Sequence, residues 1–273
     1  MAAGAALLFA TLIGVFITPD GIVVGADSAL SDPSGPVASQ QKYCVTGPRS
    51  VATLQGAYEL QDTLTNATTR LFDRFRELCD RMGGAPSPMT LREQAERIAS
   101  ALKDDLVAFL EDLPAAEVAR MYSTARVVAR IAATGYSERG PESVVVGIGV
   151  ATDGATKRWE AQVQPLPRLT FSDCGVRFHG QESVVATLGT DKGLRVLPAE
   201  LQNRDVTRLS ALLKGSCTEA SIQSAPSMFV QAVRLTIMQG PGFGIPKGSV
   251  SPPLDVVVIP RDGAIEVKRI DSW

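Results

Sequence analysis

Residues 11–27 read TLIGVFITPDGIVVGAD: an apolar run, a Pro-Asp-Gly turn, and a second apolar run that stops on an acid. Two β-branched runs flanking a short Asp-Gly turn predict a β-hairpin, with strands over 11–18 and 21–26. Two features are odd for a buried hairpin. The second strand ends on the carboxylate of Asp27, and the first begins behind Thr11. Thr11 in turn follows Ala10 and the small, apolar segment MAAGAALLFA. A junction after Ala10 would free a threonine amine, which makes Thr11 a candidate nucleophile and Asp27 a candidate member of the machinery around it.

Working outward, the polar, turn-rich residues 28–40 read as a surface loop. KYCVTGPRSVATLQG repeats the hairpin pattern, with strands at 42–46 and 50–55. Residues 57–82 switch to helical period, with Leu60, Leu64, Ala67, Leu71, Phe75 and Leu78 three or four apart. After GGAPSP, the Thr90-x-x-Glu93 capping box opens a helix with Leu91, Ile98, Leu102, Leu106 and Leu110 on one face, ending near Pro114. A third helix is expected over 116–133. Strands follow at 143–151, 158–164 and 183–189, helices at 192–213 and 225–239, and a closing hairpin at LDVVVIP and AIEVKRI. GPGFG lies in a Gly/Pro loop after a helix and is not a dinucleotide fingerprint. Hairpins alternating with helix pairs suggest two antiparallel sheets face to face with helices outside, an α+β fold. No linker splits residues 11–273, so a single domain is expected, with a helical insertion around 83–140.

The bulk numbers exclude several classes. With 273 residues, 45% apolar and 21% charged, the chain can bury a substantial core. Net charge is −2 and no basic run occurs, so nothing points to nucleic acid. No apolar stretch is long enough for a transmembrane helix. Cys44, Cys79, Cys174 and Cys217 form no C-x-x-C pair and are expected to be buried thiols of a cytoplasmic protein; two disulfides would require export. The lone histidine, His179, excludes any two-histidine site, and no G-x-S-x-G elbow accompanies it. It is expected at a loop or strand end. Asn66-Ala-Thr68 is a formal glycosylation sequon inside a helical pattern.

Several stretches resemble the proteasome β subunits and their bacterial relatives, members of the N-terminal-nucleophile hydrolases. PDGIVVGADS is similar to the family's x-D-G-hydrophobic-A-x-D-S segment, and sixteen residues before its Asp27 is Thr11, the family's nucleophile position. VASQQKY resembles the segment with the active-site lysine and points to Lys42, at a spacing one residue shorter than usual. VATLQGAYE is similar to the strand and turn whose glycine amide forms the oxyanion hole, here Gly56, with Leu54 at a specificity position. ATLGTDKG resembles the hydrophobic-G-S-G-G turn, with Thr190 in place of serine. PPLDVVVIPRDG is similar to the penultimate hairpin. The chain also departs from the family. Ala10 stands where a glycine is frequent, and alignment by Gly14 would instead put Ala10 at the nucleophile position. The acid and serine near the end of the family's last helix have no counterpart in RLTIMQGPGFGIPKGSV except the distant Ser249.

The resemblance implies a four-layer α/β/β/α sandwich and a threonine-type hydrolase of peptide or amide bonds. It implies no metal or organic cofactor, and a self-assembling ring or dimer. The N-terminal amine, with an unperturbed pKa of about 7.7–8.0, would be the base. Lys42 would stabilise developing negative charge, Asp27 would hold Lys42, Gly56 would donate to the oxyanion, and Thr190 would bond the amine. Each residue also has a plain structural reading: a strand threonine, an Asx turn at Asp27, a solvated edge lysine, a turn glycine, a helix N-cap. Two rival functions remain, a catalytically inactive scaffold subunit and an exported amidase-like member with disulfides.

Overall fold

The computed structural model describes residues 12–32, 35–39, 41–56, 59–61, 68–83, 89–111, 127–152, 159–165, 169–170, 174–179, 185–190, 197–243 and 250–272. These form two compact units drawn from interleaved stretches: 43–133 with 143–169, and 12–42 with 134–142 and 170–272. No described helix is long and apolar enough to cross a membrane.

The opening hairpin is present as expected, with β1 (Ile13–Thr18) and β2 (Gly21–Asp27) paired antiparallel and every residue of both strands buried. They sit at the centre of a five-stranded sheet of order β13-β1-β2-β14-β15, where β13 is Gly175–His179, β14 Leu254–Pro260 and β15 Glu266–Ile270. Strands covered on both faces read as unbroken apolar runs, which is why 13–26 and 254–260 lack a polar alternation. Asp20 secures the turn: its carboxylate accepts from the Thr18 hydroxyl at 2.7 Å and from the Ile222 amide at 3.0 Å.

Two helices share a core with this sheet: α3 (Arg204–Leu213), capped by the Asn203 side chain on the Asp205 and Val206 amides, and α4 (Ala225–Gln239). Their contact with β1 and β2 turns on a pair of glycines. Gly14 and Gly25 lie opposite each other in the register, and the Phe229 ring of α4 occupies the space a Cβ on either would need. Phe16 meets Phe229 and Phe178 edge-on, at centroid distances of 6.3 and 5.7 Å.

The other sheet has six strands. Its order is β11-β10-β9-β6-β5, with β12 beside β10; β5 is Tyr43–Gly47, β6 Ser50–Gly56, β9 Val127–Ser137, β10 Gly140–Thr152, β11 Trp159–Pro165 and β12 Leu169–Thr170. Helices α1 (Leu71–Gly83) and α2 (Leu91–Glu111) pack against it. The capping box forms as read: the Thr90 amide donates to Glu93 Oε2 at 2.7 Å, and the Glu93 amide to Thr90 Oγ1 at 3.2 Å. Leu91, Ile98, Leu102 and Leu106 are buried on one face.

Several expectations are corrected. The loop expected at 28–40 holds a hairpin of β3 (Ala29–Asp32) and β4 (Gly35–Ser39). The helix expected over 57–82 starts only at Leu71; β7 (Glu59–Gln61) and β8 (Thr68–Arg70) precede it, so strand pairing overrides the leucine spacing there and the sequon's Thr68 opens a strand. The third helix is wrong over 127–133, where VVARIAA belongs to β9, and the insertion around 83–140 is therefore only partly helical. SVVATLG does not end as a strand: Thr187–Gly189 is a 3₁₀ turn, and Val185 and Leu188, three apart, are both buried. β13 is missed altogether, and the helix expected over 192–213 begins at Arg204. The cysteines are not thiols: Cys44 pairs with Cys79, joining β5 to α1, and Cys174 pairs with Cys217.

Gly25→Ala is expected to lower stability by about 1–3 kcal/mol, because the new methyl group enters the Phe229 ring. The shift in urea midpoint measures it, and Phe229→Leu in the same chain should recover part of the loss.

Candidate functional site

The end of β2 carries a buried polar cluster. Asp27 and Lys42 are both 0% exposed, with Lys42 Nζ 3.3 Å from Asp27 Oδ2. The other carboxylate oxygen, Asp27 Oδ1, accepts the Leu12 amide at 2.6 Å. The Asp27 amide donates to the Leu12 carbonyl at 3.1 Å. The carboxylate therefore takes the donor of Leu12, the residue whose carbonyl receives Asp27's own amide. Here is the reason the strand ends on an acid: Asp27 clamps the start of β1 and anchors a lysine at once. The plain readings of a solvated edge lysine and a local Asx turn are set aside by this burial and these partners.

Ser28, the next residue, reaches a second acid, Asp255. Ser28 Oγ donates to Asp255 Oδ2 at 2.8 Å, and the Ser28 amide donates to the Pro253 carbonyl at 3.0 Å. The β2–β14 register sets Leu254 opposite Asp27 and Asp255 opposite Ala26. Arg269 Nη1 on β15 stands 3.7 Å from Asp255 Oδ1. Ser28 and Asp255 escaped the sequence reading. The available signal was an acid inside the buried run LDVVVIP, where an unpaired charge would be expensive.

Burial pushes the Lys42 ammonium below its ordinary value of 10.5; the charge and hydrogen bond of Asp27, then the charge of Asp255, pull the other way. A fully desolvated lysine held by carboxylates can present a positive charge to a developing anion and can exchange a proton at lower pH than a surface lysine.

The remaining candidates fall as follows. Thr11, Ala10 and Ser249 lie outside the described residues. The amide that Asp27 holds is that of Leu12, the first described residue. Gly56 closes β6 with φ +109°, and a Cβ there would overlap the Val128 carbonyl oxygen, so both backbone conformation and space demand glycine. Leu54 is buried in β6. Thr190 is exposed, in extended backbone after the 3₁₀ turn, and its hydroxyl donates to the Thr187 carbonyl at 2.8 Å. His179 is the last residue of β13, the strand-end placement expected of it, and is buried. No protein-family model matches the chain, and no curated protein matches it.

Lys42→Met leaves Asp27 as a buried lone charge and is expected to cost about 3–5 kcal/mol, as is Asp27→Asn, which leaves Lys42 as one. The Asp27→Asn/Lys42→Met double variant should lose much less than the sum, by the urea midpoints of all four proteins. The pH dependence has a definite sign. Lys42's folded value lies below its unfolded one, so between the two the unfolded chain binds more protons. Stability should rise with pH across that window, up to about 10.4, and the rise should be absent from the double variant.

Proposed function

We propose that this chain is a threonine-type N-terminal-nucleophile hydrolase that cleaves amide bonds in peptides, with Thr11 as nucleophile once residues 1–10 are removed. The observation that carries the reading is the double grip of Asp27, one oxygen on the Leu12 amide and the other on the buried ammonium of Lys42. A hydroxyl needs a base and an electrostatic partner at neutral pH. The first would be the freed amine of Thr11, the second Lys42. The resemblance of PDGIVVGADS, VASQQKY and VATLQGAYE to the proteasome-like family supports the same assignment. It also supports the finer architecture, a four-layer α/β/β/α sandwich of the two antiparallel sheets, and a self-assembling ring or dimer.

In this mechanism the Thr11 hydroxyl oxygen bonds to the carbonyl carbon of the substrate, and its proton passes to the Thr11 amine. Lys42 and the Gly56 amide balance the negative charge on the tetrahedral intermediate; one oxyanion donor contributes about 2.7–4 kcal/mol. The C–N bond then breaks, and the amine-held proton leaves with the departing amine. Water repeats the sequence on the acyl-enzyme. Thr190, whose hydroxyl proton is committed to Thr187, would serve the Thr11 amine as an acceptor.

The two disulfides favour the exported form of this reading over the cytoplasmic one, because such bonds persist in oxidising compartments. Protein denatured without reductant, from its native compartment, should show no titratable thiol; four thiols would return the protein to the cytoplasm.

The deciding experiment is intact mass and N-terminal sequencing of the purified protein beside Thr11→Ala, followed by a fluorogenic peptide panel. A parent that begins at Thr11, an unprocessed variant, and peptide cleavage by the parent alone are expected. A parent that keeps residues 1–10 and cleaves nothing overturns the mechanism and leaves the inactive scaffold as the reading. If both chains are cut after Ala10, another protease removes a leader, and peptide cleavage lost in Thr11→Ala then decides for the nucleophile.

A further inference from the structure

β15 (Glu266–Ile270) closes the five-stranded sheet, and no described strand pairs with its outer side. Glu266, Val267, Lys268 and Arg269 are each half exposed or more. An edge of this kind is a template for another strand. Which of its backbone groups face outward follows from the register. The Ser28 amide donates to the Pro253 carbonyl and the Arg261 amide to the Asp20 carbonyl, so the odd-numbered residues of β14 turn their backbone groups toward β2. Along an antiparallel strand these groups alternate between the two neighbours, so Leu254, Val256 and Val258 face β15. Their partners there are Ile270, Lys268 and Glu266. Val267 and Arg269 therefore hold their N–H and C=O toward the open side.

We propose that β15 pairs antiparallel with β15 of a second copy of this chain, about a two-fold axis at Val267, joining the two sheets edge to edge. Outward groups must meet outward groups, which leaves three registers centred inside the strand, on Val267, Lys268 or Arg269. The last two set Lys268 against Lys268 or Arg269 against Arg269, and like charges directly opposite repel. The Val267 register sets Val267 against Val267, and Glu266 against Lys268 on both sides of the axis. The two valines then exchange both backbone hydrogen bonds. The Glu266–Lys268 pairs are of the non-hydrogen-bonded kind, in which side chains stand closer. Within one chain Lys268 Nζ already stands 3.3 Å from Glu266 Oε2, so the dimer gathers four charges of alternating sign. Charges on an edge normally turn a foreign strand away; this pattern accepts a copy of itself in one register. The contact is isologous and closes at two chains. It stands on the sheet register and the edge charges, and needs no part of the hydrolase reading. A strand pair this short buries less than the about 1,200–2,000 Å² of a stable interface, so the dimer forms and dissociates with concentration.

Sedimentation of the full-chain protein over a range of concentrations tests this. The parent is expected to pass from monomer to dimer in the micromolar range. Lys268→Glu sets acid against acid at both pairs and should raise the dissociation constant roughly tenfold or more. The charge-reversed Glu266→Lys/Lys268→Glu double variant restores both pairs and should recover the dimer. Val267→Pro removes an amide that β14 does not use, so it should keep the fold and abolish the dimer. A parent that stays monomeric at every concentration overturns the proposal, as does an assembly of any size that Lys268→Glu leaves intact. A larger assembly that Lys268→Glu splits supports the contact. Weakening by Lys268→Glu that the double variant does not rescue overturns the register. If Val267→Pro does not fold, the two charge variants, at exposed positions, decide. Peptide cleavage is assayed apart. A monomeric parent that cleaves peptides keeps the hydrolase reading and discards the dimer, and a dimer that cleaves none does the reverse.

Discussion

The Asp27–Lys42 pair is the constraint around which the five-stranded sheet unit is arranged. A lysine with no solvent exposure must be surrounded by groups that replace its hydration, and the protein supplies them from the end of a central strand. To do so it gives up an ordinary sheet contact at the start of β1, where a side-chain oxygen rather than a carbonyl receives the Leu12 amide. A well-packed apolar pair in the same volume would commonly be no less stable. The two buried charges at this strand end therefore offset one another's desolvation rather than adding stability beyond an apolar pair.

The aromatic packing on β1 and β2 complements this polar end. Gly14 and Gly25 leave the open end of the hairpin bare, and the Phe229 ring fills the gap from α4. The helix thereby lies close to the sheet two residues along β2 from Asp27. Cys174–Cys217 adds a covalent tie in the same unit, between the start of β13 and the segment that follows α3.

Much of this was legible in the sequence where local rules decide structure. The opening and closing hairpins, the strands at 42–55, 143–151 and 158–164, the Thr90–Glu93 box and the α4 boundaries follow from periodicity and turn chemistry. Asp27 was legible as a candidate because an acid ends an otherwise apolar run, and Lys42 only through the resemblance of VASQQKY to the family's lysine segment. The illegible parts depend on pairing across the chain. VVARIAATGYS carries enough alanine to pass for a helix, and only its place between β6 and β10 makes it a strand. GVRFH is too short to stand out and becomes β13 because β1 offers it an edge. The helical leucine spacing yields to strand pairing of Glu59–Gln61 with Thr68–Arg70. Ser28 and Asp255 could not be joined by any local rule, since 227 residues separate them.

That separation bears on when the site can exist. β2 is flanked by β1, from the same hairpin, and by β14, which lies near the other end of the sequence. Joining β2 to β14 closes a very long loop, the kind of contact that forms late because chain entropy must be surrendered before the pairing rewards it. As the chain emerges from the ribosome, Asp27 and Lys42 come first, and Asp255 follows Ser28 only 227 residues later. The sheet order therefore times the cluster: the Ser28–Asp255 bond closes only once β14 has joined β2.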